Sequence, residues 1–229
     1  MNNRAFIFDI DGTLVNLRTM WKQTYTFLYQ REHNYTLSEA EIKSMFGSPE
    51  LECPDVILRQ LGLYTRERAA EMVRRTEDIM LLTLSRENVS KYIPHGVIPC
   101  LQELQRAHAA VGCATGNTEA VAKSILHHSG LEEYFPVLAY STGETASRTQ
   151  IVAKAKQELE RHYQREFELR HTYVIGDTPA DVGAARDLGF KSIAIASGEY
   201  WARDLALCGP DTLILDLRAL SDLVAALPP

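Results

Sequence analysis

From residue 97 onward the chain alternates short apolar runs with amphipathic helical stretches, and this alternation leaves few folds open to it. The apolar runs are Val111-Gly112-Cys113-Ala114, Val137 to Tyr140, Thr172-Tyr173-Val174-Ile175, Ser192 to Ala196 and Thr212 to Leu215. Each is too short for a helix and apolar on both faces, as a strand buried in a parallel sheet must be. Between and around them, helices are predicted over 97–110, 119–128, 149–162, 179–188 and 218–226. Parallel strands need long crossovers, and helices supply them while covering both faces of the sheet. Ala5-Phe6-Ile7-Phe8 at the N-terminus is one more buried strand of the same kind. The expectation is an α/β fold with ligands at the carboxyl ends of the strands.

The stretch from Leu17 to Val89 has a different character, with helical periodicity and few strand signals. Ser38 followed by Glu41 has capping-box spacing and starts one helix. Gly47-Ser48-Pro49 interrupts, Gly62 ends a further helix, and Thr65 to about Arg86 reads as one long helix. The chain therefore divides into a core, residues 1–14 and 93–229, and an inserted helical unit, residues 15–92.

Charge and cysteine usage narrow the partners. A formal net charge of −6 argues against nucleic acid or an anionic membrane, though not against phosphorylated substrates. Cys53, Cys100, Cys113 and Cys208 form neither a CxxC pair nor a zinc spacing, and read as reduced thiols. No apolar run approaches the roughly 20 residues that span a bilayer, and the N-terminus does not read as a signal peptide. The expectation is a soluble cytoplasmic protein, monomer or homodimer.

Three strand ends hold reactive groups. In Asp9-Ile10-Asp11-Gly12-Thr13 the two aspartates start on one face of the strand, and Gly12 allows a sharp turn. Two close carboxylates repel unless a proton or cation relieves them, and oxygen ligands suit magnesium. Thr115-Gly116-Asn117 follows the second strand, where a hydroxyl and free amides form an anion site, unless Asn117 or Thr118 merely caps the helix. In Gly176-Asp177-Thr178-Pro179-Ala180-Asp181 the two aspartates lie one helical turn apart and can face one point. Asp177 alone would also serve as a plain helix cap.

At these residues the sequence resembles the haloacid-dehalogenase superfamily. The segments beginning at Asp9 and Thr115, and the Gly-Asp177-Thr-Pro-Ala-Asp181 segment, look like its motifs one, two and four, in order. The insertion is similar to the helical cap of the phosphoglycolate phosphatase and beta-phosphoglucomutase branch. In Pro94-His95-Gly96-Val97, His95 stands where that branch carries a proline. The resemblance implies a Rossmann-like three-layer core with an inserted all-α cap, and a magnesium-dependent phosphatase acting on a small phosphorylated metabolite. Asp9 would attack phosphorus and Asp11 would act as acid and base. Magnesium would be held by Asp9, the backbone carbonyl of Asp11, and Asp177, with Asp181 supporting that shell. Thr115, Gly116 and Asn117 would bind the phosphoryl oxygens. True dehalogenases lack an aspartate at position 11, so Asp11 favours phosphate chemistry.

Motif three departs from the branch, which has a lysine before a proline. Here the loop runs from Thr142 to Thr149, and Arg148 is its only cation. Arg148 is either the phosphate-binding cation, in contact with Asp9, or a surface residue; Lys154 lies inside the following helix. In the cap, Lys43 to Pro49 resembles a substrate-facing loop. Arg18, Lys22 and Tyr25 share one helix face, which either meets substrate or faces solvent. Lys22 and Gly47 are the proposed specificity positions. The rivals are a phosphomutase of the same branch and a non-enzymatic phosphoaspartate-type binding module, although the latter needs no large cap.

Overall fold

The structure is a computed structural model that describes residues 3–46, 53–142, 147–215 and 218–226. Strand β1 (Ala5–Phe8) is followed by four helices, α1 (Arg18–His33), α2 (Glu39–Met45), α3 (Cys53–Gln60) and α4 (Arg66–Leu84). Helix α5 (Val97–Arg106) leads to β2 (Ala110–Ala114), α6 (Glu119–Ser129), β3 (Val137–Ala139) and α7 (Arg148–Tyr163). Then come β4 (Thr172–Gly176), α8 (Pro179–Leu188), β5 (Lys191–Ile195), α9 (Ala202–Leu207), β6 (Thr212–Ile214) and α10 (Arg218–Ala226).

The strands form one parallel sheet in the order β3-β2-β1-β4-β5-β6. The period of two along β1 separates two cores. Phe6 and Phe8 pack with Val97 and Leu101 of α5, Leu126 of α6 and Leu220 of α10. Ala5 and Ile7 pack on the other face with Ile151 and Leu159 of α7 and Ala185 of α8. The result is the expected three-layer, Rossmann-like α/β fold.

The helices between β1 and α5 add no strand among the described residues. Their apolar residues, including Trp21, Leu28, Met80 and Leu84, join the Phe6–Phe8 core. Local signals set their starts. Ser38 Oγ accepts from the Glu41 amide at 3.3 Å while the Glu41 carboxylate accepts from the Ser38 amide at 2.7 Å. Thr65 caps α4 by accepting from the Arg68 amide at 3.2 Å.

Two elements differ from expectation. Helix α5 stops at Arg106 rather than near Ala110, because the Ala110 amide joins the sheet by donating to the Arg4 carbonyl at 3.1 Å. His108 makes the reversal with φ 52°. Helix α9 was not expected; with six residues and only Leu205 buried, it shows no periodicity to read. No helix among the described residues is long and apolar enough to cross a membrane. None of the four cysteines forms a disulfide, and Cys53, Cys100 and Cys113 are buried.

The strand order reverses between β1 and β4, which lie side by side with Phe8 opposite Ile175. Both chains leave the sheet there, opening a crevice where no crossover covers the strand ends.

Candidate active site

Asp9 sits at that reversal. Its amide donates to the Ile175 carbonyl at 2.8 Å, so the first residue after β1 is still held by the sheet. The chain then folds back on itself, with Leu14 N donating to Ile10 O at 2.8 Å and Gly12 N to Val15 O at 2.9 Å. Gly12 turns with φ 82°, a conformation that side chains resist. Asp177 leaves β4 directly opposite, and the Thr13 hydroxyl donates to its Oδ1 at 3.2 Å. A Cβ on Gly12 or on Gly198 would overlap the Asp177 carboxylate, so two glycines form its walls.

Asp181 is drawn in by the start of α8. Its Oδ2 accepts from Thr178 N at 3.1 Å and Thr178 Oγ1 at 2.6 Å, while Pro179 occupies the first turn. Carboxylate oxygens of Asp9, Asp177 and Asp181 all lie within 4.8 Å of one another, and all three residues are buried.

Among the described residues one cation answers these three acids. Arg148 is the first residue of α7, placed there by a capping box between Ser147 and Gln150. It is only 7% exposed. Its Nη2 donates to Asp9 Oδ1 at 2.5 Å and its Nη1 to the Ala114 carbonyl at 3.0 Å. Nε is 2.9 Å from Asp181 Oδ1, an ion pair too bent to be a hydrogen bond. Lys154, by contrast, lies over the Tyr140 ring at 5.5 Å.

Burial dominates the electrostatics. It raises Asp9 to about 7; Arg148 opposes the rise, while Asp181 and Asp11 add to it. Burial also pushes Asp177 well above its ordinary range, reinforced by Asp9 and Asp181 and opposed by Thr13 and Arg148. Three buried carboxylates against one guanidinium leave the cluster short of positive charge. The donor set, all hard oxygen, fits a divalent cation such as magnesium.

Asp11 lies apart from that cluster. Its Oδ1 accepts from Trp21 Nε1 at 2.7 Å and its Oδ2 from Asn117 Nδ2 at 2.5 Å. Burial raises its pKa, and these two hydrogen bonds, Asn117 first, oppose the rise. Thr115 is fully buried at the end of β2, with its amide donating to Ala139 O at 3.0 Å. Its hydroxyl accepts from the Asn117 amide at 3.3 Å. Thr118 occupies the N-cap position of α6 without making a side-chain cap; its hydroxyl donates to Glu77 of α4 at 2.5 Å.

Asp9, Asp11, Thr115, Gly116, Asn117, Arg148 and Asp177 therefore border one crevice of about 50 Å³, and Asp181 stands just behind them. Lys22 is not among its lining residues. Its ammonium pairs with Glu39, because one position further along a helix turns a side chain by about 100°. Gly47 lies outside the described residues. The sequence reading missed Trp21, which lines the crevice between Arg18 and Tyr25. Its position three after Arg18 and four before Tyr25 was the available signal. It also missed Gly198 and Glu199, which line the crevice from the loop after β5 and sit in no motif.

Comparison with known proteins agrees with this geometry. The chain is 23% identical to a pyrophosphatase PpaX of Oceanobacillus iheyensis, over 98% of each. It is 24% identical to a tyrosine-protein kinase PtkA of Mycobacterium tuberculosis, over 96% of this chain and 71% of that one. A crystal structure of beta-phosphoglucomutase from Clostridium difficile superposes with a TM-score of 0.81 at 16% identity, covering 97% of this chain and 95% of that one. The family model described as haloacid dehalogenase-like hydrolase matches residues 6–195, and the chain belongs to that family.

Proposed function

We propose that this chain is a magnesium-dependent phosphatase that hydrolyses a small phosphate monoester through an aspartyl-phosphate on Asp9. The observation that carries the reading is the Asp9 carboxylate, buried between Arg148 and the Asp177–Asp181 pair at the strand reversal. The names of the two relatives and of the structural neighbour all describe phosphoryl chemistry, and the family is one of hydrolases.

In this mechanism Arg148 holds one oxygen of Asp9 and orients the other toward phosphorus. A bond forms from that oxygen to phosphorus as the bond to the leaving alcohol breaks. Asp11 donates its proton to the departing oxygen. It then takes a proton from water, whose oxygen attacks phosphorus as the bond to Asp9 breaks, releasing the Asp9 carboxylate and phosphate. Burial raises the Asp11 pKa, which favours the protonated form from which this exchange begins. The Thr115 hydroxyl and the amides of Gly116 and Asn117 bind the phosphoryl oxygens. Asp9 and Asp177, with the Asp11 carbonyl, would hold magnesium, which when bound offsets the charge of the acids and the phosphoryl group. Residues 15–92 act as a cap that screens the reaction from water.

The test is phosphate release from p-nitrophenyl phosphate and a metabolite panel, with magnesium and after chelation. Turnover that requires the metal and disappears in Asp9→Asn supports the reading. Unchanged turnover after exhaustive chelation, or in Asp9→Asn free of deamidation, refutes it. A sugar monophosphate interconverted without phosphate release points instead to a phosphomutase.

A further inference from the structure

We propose that the crevice selects phosphate monoesters with an uncharged, apolar leaving group and rejects those carrying a second anion. This rests on the phosphatase reading above. The wall facing the acids comes from the helices between β1 and α5, and it includes Trp21, Tyr25, Met45, Phe46 and Cys53. Trp21 and Tyr25 stack with ring centroids 5.6 Å apart. The Trp21 N–H is committed to Asp11, so the indole offers the leaving group mainly carbon.

Arg18 is the only cation of these helices that lines the crevice among the described residues. It is already answered. Its Nε pairs with Glu199 at 3.0 Å and its Nη1 donates to the Gly198 carbonyl at 3.2 Å. Lys43 is held by Asp204 at 3.8 Å and lies over the Tyr200 ring at 4.7 Å. At the core end Arg148 is committed to Asp9, Asp181 and Ala114. Segments 47–52 and 143–146 contain no lysine or arginine. A carboxylate or second phosphoryl group on the leaving side would therefore meet Glu199 and, among the described residues, only cations already paired with acids. Burying an anion without a partner is strongly unfavourable.

The test compares n-propyl phosphate with 2-phosphoglycolate, which are close in size and differ in an ethyl group standing for a carboxylate, alongside pyrophosphate and p-nitrophenyl phosphate, all with magnesium. The expected result is a kcat/KM for propyl phosphate at least about tenfold above those for phosphoglycolate and pyrophosphate. Glu199→Gln, checked for an unchanged fold by circular dichroism, is expected to free Arg18 and narrow the propyl-to-phosphoglycolate ratio several-fold. Preference for phosphoglycolate or pyrophosphate overturns the proposal, as does a ratio unmoved by Glu199→Gln. Turnover of p-nitrophenyl phosphate with propyl phosphate silent also overturns it, since an uncharged alkyl leaving group is then not accepted. Silence toward all four substrates would instead refute the phosphatase reading beneath it.

Discussion

The indole N–H of Trp21 donates to Asp11 Oδ1 at 2.7 Å, so helix α1 holds a carboxylate of the loop that follows β1. Asn117 takes the other oxygen from the opposite side. The proposed proton carrier is thus positioned by two elements that are far apart in sequence and share no hydrogen-bonded strand.

Trp21→Phe keeps the ring and removes this donor. Losing a hydrogen bond to a charged group costs about 1.5–3 kcal/mol, or roughly ten- to a hundredfold in rate if it is made in the transition state. The loss is expected in kcat rather than KM, and the pH–rate profile is expected to move to higher pH because the bond lowers the Asp11 pKa. Steady-state kinetics across pH check this; a KM effect alone would make Trp21 a wall and not a positioning residue.

Arg148→Ala leaves three buried carboxylates facing one another without their cation. Turnover is expected to fall at least about tenfold, with a lower Tm in the absence of metal. Arg148→Lys is expected to recover only part of the activity, since an ammonium cannot span Asp9, Asp181 and the Ala114 carbonyl as the fork does. Full activity in the lysine variant would show that charge alone matters.

Stability of the metal-free protein is expected to depend on pH through Asp9. Its carboxyl is raised from an ordinary 3.8 to about 7 in the folded chain. Such a group favours folding while protonated, so its contribution is full below about pH 4 and is lost as pH rises through about 7. Magnesium replaces the proton, and the rise in Tm on adding it is expected to be larger at pH 8 than at pH 6. Thermal melts with and without magnesium decide this, with Asp9→Asn as control. Equal shifts at both pH values would place the metal elsewhere.

Gly198→Ala adds a Cβ that overlaps the Asp177 carboxylate. Asp177 must turn away from Asp9 and Asp181 to make room. Half-maximal activation by magnesium is expected to need about tenfold more metal or greater, the range seen when a support of a metal ligand is lost. A magnesium titration of activity, with far-ultraviolet circular dichroism to confirm folding, checks it.

The sequence alone determined the sheet and most of its helices. Runs apolar on both faces, such as those at residues 5–8 and 172–175, can only be buried strands, and Ser38 and Thr65 start helices through their own side chains. It also placed Asp9, Thr115 and Asp177 at strand ends, because each directly follows an apolar run. Only the tertiary structure decided which groups meet across the crevice. Arg148 reaches Asp9 across 139 residues of chain, and Trp21 rather than Lys22 faces Asp11. Period and capping are local, set by neighbours within a turn or two. A side chain's partner depends on strand order and on the angle at which each helix leaves the sheet, and those are settled only when distant segments pack.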